Sequence, residues 1–160
     1  MPNDDSRRTS TWVDQRLRRR VRLAGNDWSD DGSSTRVLIE ADDHALSWAM
    51  QATLERAGYE VETCPGPSST RRCALLDNGR CELQAGADVI VNCLAGDARN
   101  GHPLARRTIE ATPACPLILD VTDPARAGAP EGAAVLIRPW NGPELVDAVR
   151  AAMDRPPTIG

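Results

Sequence analysis

A chain of 160 residues with a formal charge of −4 has room for one domain and little more. It contains no Phe, one Tyr and four Trp, and all 19 basic side chains are Arg, so no lysine can serve as a Schiff base or phosphate clamp. The charge is +2 over residues 1–36 and −6 over residues 37–160, and an acidic body of that kind argues against a nucleic-acid groove.

The first eleven residues are polar and do not read as a secretory leader, and no apolar run approaches the roughly 20 residues that span a bilayer. The expected compartment is the cytoplasm, with no membrane partner. Five cysteines should be reduced there, and an odd number does not close a disulfide framework.

In chain order, residues 1–35 read as a disordered arm and linker rich in Ser, Thr, Asp, Asn and Gly. Within it Trp12, Val13, Leu17 and Val21 sit on one face of a short helix, and the basic run Arg16 to Arg22 is the one place where an anionic partner such as nucleic acid would bind. The folded body is expected over residues 36–153, with a tail at 154–160. It opens with a strand at Val37, Leu38 and Ile39. Asp43 then caps a helix from His44 that presents Leu46, Met50, Leu54 and Ala57 on one face and stops at Gly58. Tyr59 to Thr63 alternate as a second strand.

Residues 64–86 break the rhythm: they are rich in Pro and Gly, carry three cysteines, and offer one helical turn at Cys73 to Leu76. A third strand runs Val89 to Asn92, ending in Cys93. Pro103 starts a helix through Ile109. A fourth strand is expected at Pro116 to Asp120, a helix or loop at Thr122 to Ala129, and a fifth strand at Val135 to Ile137. Asn141 and Glu144 form a capping pair for a last helix facing inward with Leu145, Val149 and Met153. Strands alternating with crossovers predict an α/β fold: a flavodoxin-like, doubly wound, parallel five-stranded sheet. Function in such a sheet collects at the carboxyl ends of the strands, where Asp42, Asp43, Cys93 and Val121 should gather.

The stretch RVLIEADDHAL with LERAGYEV, and the stretch GAAVLIRPWNGPELVDAVRAAM, resemble the first and last parts of a response-regulator receiver domain over about residues 36–153. The resemblance implies aspartyl phosphorylation: an Asp ending the third strand, an acidic pair holding Mg²⁺ after the first, a hydroxyl ending the fourth, and a Lys before Pro after the fifth. Position by position this chain departs from that pattern. Ala41 replaces one acid and Asp42 remains, Cys93 stands at the acceptor, Val121 stands at the hydroxyl with Thr122 one step late, and Arg138 replaces Lys. The resemblance thus implies a degenerate receiver that signals by binding a protein partner, without phosphorylation, enzymatic activity or cofactor. Trp140, beside Arg138, is the expected anchor for that partner.

Two cysteine patterns define the alternatives. Cys93 to Arg99 matches C-x5-R, the anion loop of cysteine-dependent phosphatases, in which a thiolate attacks phosphorus and an Arg clamps two oxygens. Against it, Asp97 would place a carboxylate in the cradle. Cys64, Cys73 and Cys81, spaced C-x8-C-x7-C, would make a thiol-redox or metal sensor binding zinc or an iron–sulfur cluster, with a fourth ligand from Cys93, Cys115 or His102.

Overall fold

A computed structural model of the chain describes residue 28 and residues 32–94, 101–123 and 128–155. The Trp12 to Val21 helix, Arg99 and the last five residues lie outside the described residues, as do the side chain of His102 and the middle of the Thr122 to Ala129 connection. Among the described residues no helix is long and apolar enough to cross a membrane.

Five parallel strands form one sheet in the order β2-β1-β3-β4-β5: β1 (Arg36–Glu40), β2 (Glu60–Cys64), β3 (Val89–Asn92), β4 (Leu117–Val121) and β5 (Ala134–Ile137). Helices α1 (His44–Arg56), α2 (Ala74–Asn78), α3 (Glu82–Gly86), α4 (Gly101–Ala111) and α5 (Gly142–Asp154) make the crossovers and the last element. The expected flavodoxin-like sheet is therefore present. The order reverses at β1, which sends β2 to one side and β3 to the other, so the switch point lies above β1 and β3.

The sheet divides two cores. On one face Val37, Ile39, Val89, Val91, Ile118 and Leu136 pack with Met50 and Leu54 of α1 and Leu145 and Val149 of α5. On the other, Leu38, Ile90, Leu117, Leu119 and Val121 pack with Ala105 of α4. Burial on both faces is why β1, β3 and β4 are almost unbroken apolar runs. Because side chains alternate along a strand, the last residues of each strand hand their side chains to opposite faces.

The helix ends follow the expected chemistry. Asp43 accepts from the Leu46 N–H at 3.0 Å, and α1 ends before Gly58 at φ +93°. Asn141 and Glu144 form a reciprocal capping box, with bonds of 2.9 and 2.7 Å. Along α1, Met50 and Leu54 are buried and Leu46 is half-buried, but Ala57 is an exposed cap.

Three expectations change. Residues 64–86 hold two five-residue helices where one turn was expected; these short pieces are held by buried Leu75 and Gln84 rather than by an apolar periodicity. Trp28, expected in the arm, is only 4% exposed: it joins the second core, donates its indole N–H to the Leu83 carbonyl at 3.2 Å and lies under the Arg36 guanidinium at 5.8 Å. Finally, β2 begins at Glu60 rather than Tyr59 and runs to Cys64.

Candidate functional site

The carboxyl ends of the strands carry two buried polar clusters, one on each face. On the first face stands Asp120, the penultimate residue of β4 and 1% exposed. Arg138, immediately after β5, reaches back to it. Its Nε donates to Oδ1 at 3.0 Å and Oδ2 at 2.9 Å, and its Nη2 donates to Oδ2 at 2.6 Å. Trp140 adds its Nε1 donation to Oδ1 at 2.9 Å. Both carboxylate oxygens are thus occupied by a planar guanidinium fork and an indole, a geometry Lys cannot supply. The pair is positioned by β4–β5 pairing, in which Asp120 lies opposite Leu136, and by the Arg138 N–H donating to the Val121 carbonyl at 2.8 Å.

Cys93 lies beside this pair. Its N–H donates to the Glu40 carbonyl at 2.8 Å, and its Sγ donates toward the Met50 Sδ at 3.5 Å. Burial, and then the neighbouring Asp120 carboxylate, push its thiol far above the ordinary range. A protonated thiol is a poor nucleophile, the opposite of what the C-x5-R reading requires. Arg99, its proposed partner, lies outside the described residues.

The other degenerate positions disperse. Asp42 and Thr122 are exposed, Asp43 is committed to capping α1, and Val121 turns its side chain into the opposite core. Ala41 brings no oxygen to the rim. A Mg²⁺ site of the receiver kind needs several hard oxygen ligands, and one exposed Asp, an alanine and a buried protonated thiol do not fit that ion. Trp140 and Arg138, the expected partner anchors, are half-buried; the Trp140 indole packs against the first core and its N–H goes to Asp120. The exposed tryptophan is instead Trp48 of α1, at 72%.

On the second face the site belongs to Glu40, the last residue of β1, which lies opposite Asn92 and Cys64. It is 3% exposed. Its Oε1 accepts from Gln84 Nε2 at 2.5 Å and its Oε2 from Asn92 Nδ2 at 2.7 Å. Gln84 also donates to Thr108 Oγ1 at 2.9 Å, and Thr108 donates on to the Leu104 carbonyl at 2.9 Å. Gln84 Oε1 is buried and has no partner. Both groups that bond Glu40 are amides, so burial dominates and raises its pKa, while the amide hydrogen bonds oppose the rise.

Cys64, Cys73 and Cys81 lie on the same side as Glu40, near enough for the carboxyl and the other thiols to act on Cys64 and Cys81. Each is half-buried, and Cys73 and Cys81 pack on Leu75, Leu94 and Leu104. Burial comes first among the causes that raise the thiols of Cys64 and Cys81, and the neighbouring thiols and Glu40 add to it. Gly66, at φ +75°, closes the loop so tightly that a Cβ there would stand 2.5 Å from Leu94 Cδ1. Among the described residues no group of three or more His, Cys, Asp or Glu is arranged to hold a metal ion.

In the sequence Asp120 reads only as the end of a strand, and no motif singles out Glu40, Gln84 or Thr108. A signal existed for the two acids. Each is a carboxyl near the end of an otherwise apolar strand, and a buried carboxyl must find donors or a counter-charge.

No protein-family model matches the chain, and none of the curated proteins matches it. The solved structures do. A receiver domain protein of Clostridium thermocellum superimposes with a TM-score of 0.59 at 21% identity, covering 76% of this chain and 95% of that one. The fold is that of a receiver domain. The chemotaxis response regulator CheY4 of Vibrio cholerae gives a TM-score of 0.54 at 21% identity, with 75% of this chain and 99% of the other covered. A CheY-like receiver domain protein of Methanospirillum hungatei gives 0.56 at 22%, covering 76% and 95%.

Proposed function

We propose that this chain is a phosphorylation-independent receiver-like module of the cytoplasm that signals by binding a protein partner. One observation carries the reading: Arg138, the cation at the position of a receiver's Lys, is already paired with Asp120 inside the fold. In a receiver that cation answers a phosphoryl group. Here it is paired with the Asp120 side chain, which holds the rim without a covalent signal. The buried, protonated Cys93 at the acceptor position agrees with this, since no carboxylate there can form an acyl phosphate. No observation favours a phosphatase, and the partner is expected on the exposed helices rather than on the rim.

The test is intact mass after incubation with acetyl phosphate and Mg²⁺. The mass should stay unchanged. A stable gain of one phosphate, lost in hydroxylamine, overturns the proposal. Partner binding is tested by Trp48→Ala, which should leave folding intact and weaken association.

A further inference from the structure

Cys73 and Cys81 hold matching places in the 64–86 stretch. Each stands immediately before a five-residue helix, Cys73 before α2 and Cys81 before α3. Helices this short do not hold themselves, and packing must place them. α2 ends at Gly79, whose φ of +73° reverses the chain and whose N–H donates to the Leu75 carbonyl at 2.9 Å. Two residues later the chain reaches Cys81. The reversal sets both cysteines on one patch: each is half-buried and packs on Leu75, Leu94 and Leu104. The Cys81 sulfur also senses that of Cys73, since burial, then Glu40, then Cys73 raise its thiol.

The remaining thiols are placed otherwise. Cys93 points at Met50 on the opposite face of the sheet, and Cys115 donates to the Ala87 carbonyl at 3.5 Å ahead of β4. Cys64 ends β2 and packs on the second core rather than on the leucine patch.

We propose that Cys73 and Cys81 are a dithiol pair that a low-molecular-weight disulfide oxidises, closing a reversible staple across α2. One cysteine thiolate attacks a sulfur of the external disulfide, forms a mixed disulfide and expels one small thiolate. The second cysteine thiolate attacks the bonded cysteine sulfur, forms the Cys73–Cys81 bond and expels the other small thiolate. Two electrons pass from the cysteine sulfurs to the external disulfide, and the two cysteine protons end on the two small thiols released. In a reducing compartment such a bond is transient, which suits a sensor. It encloses residues 74–80 alone, so it pins Leu75 on Leu94 and Leu104 and leaves the sheet as it is. This inference stands apart from the partner-binding reading.

The test uses the full chain, reduced, then incubated with oxidised glutathione, alkylated and digested with trypsin. Cleavage after Arg72, Arg80 and Arg99 puts Cys73 in peptide 73–80 and Cys81 in peptide 81–99, while Cys64 falls in 57–71. Peptides 73–80 and 81–99 should be linked in the wild type, in Cys64→Ser and in Cys93→Ala, the last because 81–99 also holds Cys93. They should be unlinked in Cys73→Ser and in Cys81→Ser. In the linked chain, hydrogen exchange of the 74–78 amides should slow by about tenfold, with no such slowing in oxidised Cys73→Ser. Glutathione left on each thiol separately, or a link that grows with protein concentration, overturns the proposal. So does a preferred link between 57–71 and 81–99, which would assign the pair to Cys64 and Cys81. Unchanged exchange in the linked chain overturns the staple.

Discussion

Asp120 and Glu40 pose the same physical problem on opposite faces of one sheet, and the fold solves it differently each time. Asp120 faces α1 and α5 and meets a full counter-charge in Arg138, plus the Trp140 indole. Glu40 faces α3 and α4 and meets the amides of Gln84 and Asn92. On the Glu40 face burial raises the carboxyl's pKa against the opposing amide donors. The difference teaches that one sheet buries two carboxyls by two means, a guanidinium fork on one face and neutral amides on the other.

The largest test of that contrast removes the counter-charge. Arg138→Met should cost about 3–5 kcal/mol, because it leaves Asp120 buried and unpaired. Denaturant unfolding measures it. Asp120→Leu combined with Arg138→Met should recover most of the loss, since an apolar pair of similar volume removes the stranded charge. A double variant as unstable as the single one would mean that Arg138 acts through something other than Asp120.

Trp140→Phe comes next. It deletes one donor to a charged acceptor and keeps most of the packing, so a loss of about 1.5–3 kcal/mol is expected. On the other face, Thr108→Val removes the acceptor of one Gln84 N–H bond and should cost about 1 kcal/mol. Equal losses from the two substitutions would erase the distinction between a charged and a neutral network.

Glu40→Gln changes a slope rather than a level. The Glu40 pKa in the folded chain is raised above its ordinary 4.5. Its contribution to stability is therefore fully present below that value and is lost as pH rises through the folded pKa. In the variant this loss disappears. With the Gln84 amide turned, the new amide can donate to Gln84 Oε1, which has no partner in the wild type. Melting curves taken over rising pH should show the variant gaining on the wild type. Parallel curves would show that Glu40 is not the titrating group.

Much of this architecture was legible from local pattern. The apolar runs of β1, β3 and β4, the Asp43 cap and the Asn141–Glu144 box depend on neighbouring residues, and each appears where it was expected. The placement of Ala41, Cys93, Val121 and Arg138 at the carboxyl ends of β1, β3, β4 and β5 was legible too. Partnership was not. Nothing near Trp140 in sequence shows that Asp120, twenty residues earlier, takes its N–H. Trp28 looked like linker because its neighbours are polar, while its partners come from β1, β3, β4 and α3. The helices of residues 74–86 are too short to show a period, and tertiary packing holds them.

The Asp120–Arg138 pair also decides what position 93 tolerates. In Cys93→Asp the new carboxylate would arrive beside a buried one that Arg138 already serves. That step is uphill on its own and becomes tolerable once Asp120 has gone. Yet losing Asp120 first unbinds Arg138 and Trp140 at once. Each single step passes through a less stable protein, so the pair works as a latch on sequence change at three positions.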